Sequence, residues 1–225
     1  MDQAVLLSAP LFAGMKPAEA QALLRAMTPV EMPKGEPIFA QGDTGDVLYV
    51  IAAGKVKLGS LTSDGRESLL AVLGPGEMFG ELAIFDPAPR SATATPIAPT
   101  VCYSLGHDDF VAWLQDKPAA SLQLLAFLAR RLRRTNASLS DMIFTDVAGR
   151  VAGTLLDLAA RFGQQTAQGV TVVHDLTQEE LAQLVGTSRE SANKALSDFA
   201  SRGWIERKGK TTTLLNLDRL RRRAR

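Results

Sequence analysis

Between Pro118 and Ile143 the chain has no glycine and no second proline, and Leu122, Leu125, Ala129, Leu132, Asn136, Leu139 and Ile143 follow one another at alternating steps of three and four. That is the seam of a coiled coil, in which every seventh residue returns to one face of an α-helix. A helix of about 28 residues is about 42 Å long, more than one small barrel can cover. The pattern therefore predicts a helix that pairs with a second copy of itself. Asn136 is the polar position of the seam, a residue type that fixes dimer register at some cost in stability.

Upstream the texture is different. Residues 6–28 have helical spacing, with a Pro17-Ala18-Glu19 start and Ala20, Leu23, Leu24 and Met27 on one face. From Val30 onward, Gly35, Gly42, Gly45, Gly54, Asp64-Gly65 and Gly74-Pro75-Gly76 cut the chain into short apolar pieces over residues 47–51, 56–58 and 69–73. Short strands separated by such turn signals predict an antiparallel barrel or jelly roll over residues 30–106. The one cysteine, Cys102, lies between Val101 and Tyr103 and reads as buried filler. A single thiol excludes an internal disulfide and cannot hold an iron–sulfur cluster.

Downstream, Thr145-Asp146-Val147 breaks the long helix, and a second helix runs from Gly149 to Phe162 with Val151, Leu155, Leu158 and Ala159 apolar, before a Gly/Gln loop. Thr177 and Glu180 form a capping box for a helix that buries Leu181 and Leu184. Val185-Gly186-Thr187 turns the chain, and Ser188 caps a further helix whose Ala192, Ala195, Leu196 and Phe199 face the core. Arg189, Glu190, Asn193, Lys194 and Ser197 are left on the outer face. Two short helices joined by a glycine turn, the second bearing these side chains, make a helix-turn-helix able to read a DNA major groove. A helical hairpin with a solvated charged face is the plainer alternative. Residues 204–207 and 213–215, on either side of Lys208-Gly209-Lys210, predict a β-hairpin wing that meets phosphates.

The stretch GEMFGELAIFDPAPRSATA, residues 76–94, holds Glu81 and Arg90 nine positions apart in small, apolar surroundings. Buried charges need partners. Gly80-Glu81-Leu82-Ala83 can open a helical turn whose free amides attract an anion, while Arg90 offers a forked donor for phosphate oxygens and Ser91 adds a hydroxyl. A carboxylate beside a phosphate repels it, so Glu81 needs a different task. A 3',5'-cyclic phosphate leaves the ribose 2'-hydroxyl free to donate to Glu81. A plain Glu81 to Arg90 salt bridge is the structural alternative.

FGELAIFDPAPRSATA resembles the phosphate-binding cassette of cyclic-nucleotide-binding domains, and TQEELAQLVGTSRESANKAL resembles the helix-turn-helix of the bacterial cyclic-AMP receptor protein family. With ARRLRRTN and FTDVAGRVAGTLLDLA between them, the similarity runs through nearly the whole chain and has an actinobacterial cast. The resemblance implies an α+β fold: a jelly-roll (double-stranded β-helix) cyclic-nucleotide-binding domain over residues 1–116, a dimerisation helix over 117–145, and a winged helix-turn-helix DNA-binding domain over 146–225. It further implies that Gly80, Glu81 and Leu82 meet ribose and phosphate, that Ala83, Arg90 and Ser91 meet phosphate, and that Thr135 meets the adenine amino group. Asn136 stands where the family has a second hydroxyl residue reaching in from the other subunit. Its amide can accept from an amino group or donate to a ring nitrogen. Arg189, Glu190 and Lys194 match base-reading positions, with Lys194 a point charge where many members have the arginine fork. Thr177, Thr187, Ser188, Asn193, Lys208 and Lys210 complete the expected DNA contacts.

The formal net charge of +1 divides into −3 over residues 1–145 and +4 over 146–225, as two regions with different partners would give. The closing Arg219-Leu220-Arg221-Arg222-Arg223-Ala224-Arg225 supplies much of the excess and reads as a solvated helix end. No apolar run long enough to span a bilayer and no signal peptide is present, so a cytoplasmic protein with no membrane partner is expected. His107 and His174, the two histidines, are expected in polar loops or turns, with Asp108 and Asp109 as helix-start acids rather than metal ligands. No catalytic residues and no metal are expected. The reading is a homodimeric transcription regulator controlled by cyclic AMP, acting on a near-palindromic DNA site and, by resemblance, on RNA polymerase. Two alternatives stand beside it: a constitutive DNA-binding regulator only weakly modulated by nucleotide, and a cyclic-nucleotide-hydrolysing enzyme, which lacks the clustered His and Asp of a hydrolytic metal site.

Overall fold

The computed structural model describes residues 3–62, 65, 67–115 and 117–224. Asp64 of the expected Asp64-Gly65 turn, Asp116 and the closing Arg225 lie outside the described residues. The chain divides into two units, residues 1–66 with 71–134, and residues 67–70 with 135–225.

In the first unit, α1 (Gln3–Leu7), a 3-10 turn (Pro10–Phe12) and α2 (Pro17–Ala26) replace the single helical region expected over residues 6–28. Pro10 and Pro17 are the reason, since each lacks an amide donor and is tolerated only at a helix start. The strands β1 (Thr28–Met32), β2 (Val47–Ala53), β3 (Val56–Leu61), β4 (Glu67–Leu73) and β5 (Met78–Phe79) follow. Then come α3 (Leu82–Phe85), β6 (Thr93–Pro96), β7 (Thr100–Gly106), α4 (His107–Leu114) and the long α5 (Pro118–Phe144), within which the division between units falls. The strands form antiparallel sheets in the orders β1-β7-β2-β5 and β4-β3-β6. Register is fixed by pairs such as Met32 with Thr100 and Val47 with Gly106.

Strand β2 reads VLYVIAA, apolar at successive positions, because both of its faces are covered. Leu48, Val50 and Ala52 pack with Leu11, Phe12, Phe110 and Leu124 on the helical side. Ile51, with Tyr49 beside it, faces Val56, Leu58, Phe79 and Cys102 inside the roll, so the two sheets share one core. Cys102 is fully buried, and burial pushes its thiol up to about 12, which keeps it protonated and unreactive. His107 opens α4, with Asp108 and Asp109 in its first turn.

In the second unit, α6 (Val147–Phe162) begins two residues before the expected Gly149, because Asp146 caps it by accepting from the Gly149 amide at 2.8 Å. The expected Gly/Gln loop is instead a hairpin of β8 (Gly163–Thr166) and β9 (Gly169–Val173). The pairing of β9 with a wing strand overrides the weak strand propensity of Gly163-Gln164-Gln165. Next are α7 (Gln178–Val185), α8 (Arg189–Ser201), β10 (Ile205–Lys208), β11 (Thr211–Leu214) and α9 (Leu217–Arg223), with sheet order β10-β11-β9-β8. The wing strands exclude Trp204, whose ring stacks on Phe199 at 5.4 Å, and Leu215. Leu184 is only half-buried; Leu181, Ala182 and Val185 fill the core. His107 is thus the first residue of a helix rather than part of the expected loop or turn, whereas His174 lies in the loop between β9 and α7. It is buried, with Nδ1 accepting from the Leu176 amide at 3.2 Å.

Candidate functional site

Glu81 follows β5 and the turn residue Gly80, and it sits at the start of α3; Arg90 lies in the loop between α3 and β6. Both are buried, at 1% and 6% exposure. They do not form the salt bridge with each other that stood as the structural alternative. Glu81 Oε1 instead accepts from Arg131 Nη1 on α5, fifty positions away. Arg90 donates from Nη1 to the Gly80 carbonyl at 2.7 Å and from Nη2 to the Val47 carbonyl at 2.8 Å, and its guanidinium lies 4.2 Å from the Phe39 ring centroid. Burial lowers the pKa of Arg90, with Tyr49, Asp46 and Glu81 pulling it back. A guanidinium stays charged through such a shift.

Two atoms of this site are buried without a hydrogen-bond partner: Glu81 Oε2 and Arg90 Nε. A buried polar group costs about 1 to 3 kcal/mol, more where charged, unless water or a ligand meets it, so Oε2 calls for a donor and Nε for an acceptor. Two glycines make the room. At Gly80 φ is +81°, and an added Cβ would lie 2.9 Å from both Arg90 Nη1 and the Val47 carbonyl. At Gly45 a Cβ would overlap the Arg90 guanidinium itself. The Gly45 loop is tied to Arg90 through the backbone, since the Arg90 amide donates to the Asp43 carbonyl at 2.8 Å and the Gly42 amide to the Arg90 carbonyl at 2.9 Å.

Of the other residues expected here, Ala83 is buried beside Glu81, while Leu82 and Ser91 are exposed. Thr135 and Asn136 are exposed on α5. Arg131, Phe39 and Gly45 belong to the pocket and were not expected. Arg131 lies within ARRLRRTN, where four arginines in five positions give no signal of which one turns inward.

On the second unit, the capping box is formed. Thr177 Oγ1 accepts from the Glu180 amide at 3.1 Å, and the Thr177 amide donates to Glu180 Oε2 at 2.7 Å. Gly186 takes the left-handed conformation, φ +72°, that ends α7, and Ser188 Oγ accepts from the Ser191 amide at 3.2 Å to open α8. Arg150 donates to the Val185 and Gly186 carbonyls, both at 3.1 Å, and fixes this turn from behind. Ala192, Ala195, Leu196 and Phe199 are buried, as their spacing predicted, whereas Arg189, Glu190, Lys194 and Ser197 are exposed and Asn193 is partly so. Thr187 is partly buried in the turn. In the wing Lys208 is exposed, but Lys210 Nζ donates to the Asp175 carbonyl at 2.8 Å. Among the described residues, no group of three or more His, Cys, Asp and Glu could hold a metal ion, and no helix is long and apolar enough to cross a membrane.

The buried charges Glu81 and Arg90 thus belong to the first unit, and the exposed charged face of α8 to the second. Residues 29–117 match the cyclic nucleotide-binding domain family, and residues 149–223 match the Crp-like helix-turn-helix domain family. The chain is 53% identical, over 100% of its length and of the relative's, to the "CRP-like cAMP-activated global transcriptional regulator" of Mycobacterium tuberculosis. It is 38% identical to the "Cyclic AMP receptor protein" of Thermus thermophilus, covering 87% of this chain and 88% of that one. The fold is shared with the solved structure of FixK2 from Bradyrhizobium japonicum, at TM-score 0.78 and 22% identity over 87% of this chain and 96% of that one. The matched relatives are regulators, and the enzyme alternative falls with them. With 53% identity to a relative along its entire length and the two domain families matched in this order, the chain belongs to the CRP-like family of transcription regulators with a DNA-binding helix-turn-helix.

Proposed function

We propose that this regulator is a homodimer switched by cyclic AMP. The observation that carries the reading is the pair of buried, unpartnered atoms, Glu81 Oε2 and Arg90 Nε. A cyclic phosphate meets the second with an oxygen and a ribose 2'-hydroxyl meets the first with a proton, so one ligand relieves both deficits. Arg131 neutralises Glu81 through its other oxygen, which lets a carboxylate stand near a phosphate. Gly80, Leu82, Ala83 and Ser91 would complete the ribose and phosphate contacts, and Thr135 and Asn136, by family resemblance, the contact with adenine.

The dimer rests on α5. Leu122, Leu125, Leu132, Leu139 and Ile143 are each more than half exposed on its seam, together with Ala129 and Asn136. Pairing that stripe with a second copy removes it from water at about 25 cal/mol per Å² of apolar area. Residues 1–116 would then sense nucleotide, 117–145 dimerise and 146–225 read DNA in the cytoplasm, with RNA polymerase as the downstream partner. The test is calorimetry with cyclic AMP and 2'-deoxy cyclic AMP, followed by DNA titrations with and without the nucleotide. Wild type should bind the 2'-deoxy form more weakly, and Glu81→Ala should bind both alike. Equal binding of the two forms by wild type refutes the Glu81 role, and equal DNA affinity with and without cyclic AMP favours the constitutive alternative.

A further inference from the structure

Gln178 is the first residue of α7 and exposed, yet its side chain is engaged on α8. Its Oε1 accepts from Asn193 Nδ2 at 3.1 Å and from Arg189 Nη2 at 3.5 Å. Arg189 and Asn193 are four positions apart, which puts them on one face of the helix. Both helix starts are held: α7 by the capping box of Thr177 and Glu180, α8 by Ser188, and the turn between them by Arg150. One carbonyl oxygen on a fixed helix start therefore gathers two side chains of the neighbouring helix.

We propose that Gln178 is a positioning residue for base reading, which holds Arg189 and Asn193 in place before DNA arrives. An arginine carries four rotatable side-chain bonds and loses rotamer entropy when fixed. A carbonyl that already orients one Nη leaves the rest of the guanidinium fork free for a guanine edge and lowers that loss. Preorganisation of this kind improves affinity at the base pair concerned without adding a contact to it. The inference rests on Arg189 as a base reader, within the function proposed above.

The experiment uses the full-length protein with cyclic AMP present. A preferred duplex is first selected from a randomised pool, and titrations then run against every single-base-pair change in one half-site. The variants are Gln178→Ala, Gln178→Glu, Arg189→Ala and the Gln178→Ala, Arg189→Ala pair. Arg189→Ala should relax preference at one base pair. Gln178→Ala should weaken discrimination at that same base pair by about two- to tenfold, the worth of one solvent-exposed hydrogen bond, and leave the other positions unchanged. In the Arg189→Ala background it should do nothing there. Gln178→Glu retains an acceptor for both donors, so it should keep the preference while weakening binding to all sequences through its charge near phosphates. Because alanine and glutamate are both good helix formers, melting temperature should hardly move. The proposal is overturned if Gln178→Ala weakens all sequences alike, if its effect persists without Arg189, or if Gln178→Glu loses the preference as fully as alanine. Should Arg189→Ala leave every preference intact, the base-reading role of Arg189 and this inference fall together; the other outcomes remove the inference alone.

Discussion

Glu81 and Arg90 are withdrawn from water, with single atoms left unmet, whereas Arg189, Glu190 and Lys194 stand in it. The function proposed above gives the difference a physical reason in what each region would recognise. A small ligand makes few contacts, and each must be made in a dry, preformed space to be worth much. DNA presents a long row of charges and base edges, so exposed side chains on a rigid helix suffice, and much of the affinity comes from released counterions. Nucleotide affinity should therefore vary little with salt while DNA affinity falls steeply. Parallel salt series for the two ligands test this, and equal slopes would break the comparison.

The largest effect is expected in the pocket. Arg90→Ala removes a buried charge-assisted contact worth about 1.5 to 3 kcal/mol, a loss of about tenfold to more than a hundredfold in cyclic AMP affinity by calorimetry. Gly45→Val sharpens this, because it keeps the charge and fills the space of the guanidinium. A comparable loss is expected. Unchanged affinity in both variants would show that nucleotide does not bind at Arg90.

Next comes the reader. Arg189→Ala should cost about 1 to 3 kcal/mol at one base pair per half-site, with half-sites about 34 Å apart, in a titration against half-site variants. Loss of affinity spread evenly over all sequences would instead make Arg189 a phosphate contact.

These regions also differ in how much of them could be read from the sequence. The reader is local. Ala192, Ala195, Leu196 and Phe199 name the buried face of α8 by spacing alone, and the caps at Thr177 and Ser188 bond within three residues. Glu81 and Arg90 were legible as a pair of charges in an apolar stretch, but their partners were not. Val47 is 43 positions from Arg90 and Arg131 is 50 from Glu81, and only sheet pairing and the packing of α5 bring them near. Periodicity carries no information across such distances. In the β8–β9 hairpin, Gly163-Gln164-Gln165 carries little strand propensity and is held by pairing with β9, whereas the Val170-Thr171-Val172-Val173 run was legible as strand and was passed over.

A smaller effect is expected at the start of α6. Arg223 Nη2 donates to Asp146 Oδ2 at 2.7 Å, and this bond, then the one from the Gly149 amide, holds the Asp146 carboxyl below its ordinary range. A carboxylate with a depressed folded pKa stabilises fully above its unfolded value, about 4, and loses that contribution as pH falls through the lower folded value. Asp146→Ala should cost about 1 kcal/mol near neutral pH as a lost cap, measured by urea unfolding. The difference from wild type should shrink on acidification. A gap independent of pH would show that the carboxylate charge contributes nothing.

The smallest and most diagnostic effect is in the wing, where Lys208 and Lys210 looked equivalent in the sequence. Lys208 is exposed, and a lysine that only neutralises phosphate weakens binding to all sequences alike. Lys208→Ala should therefore leave base preference unchanged and lower the slope of log affinity against log salt by about one per contact, two per dimer. Lys210 is tied to the strand-to-helix corner before α7: its ammonium donates to the Asp175 carbonyl at 2.8 Å, and its own carbonyl accepts from the His174 amide at 3.0 Å. Asp175 holds a φ of +63°, a conformation unfavourable for a residue other than glycine, and the Lys210 bond helps to keep it there. Lys210→Ala should thus loosen the entry to α7, seen as faster amide exchange at Leu176 and Thr177, and change the salt slope less than Lys208→Ala does. If the two lysines shift the slope equally and amide exchange is unaltered, the wing is a plain phosphate clamp, and the contrast between an exposed reader and a structurally tied support fails at that corner.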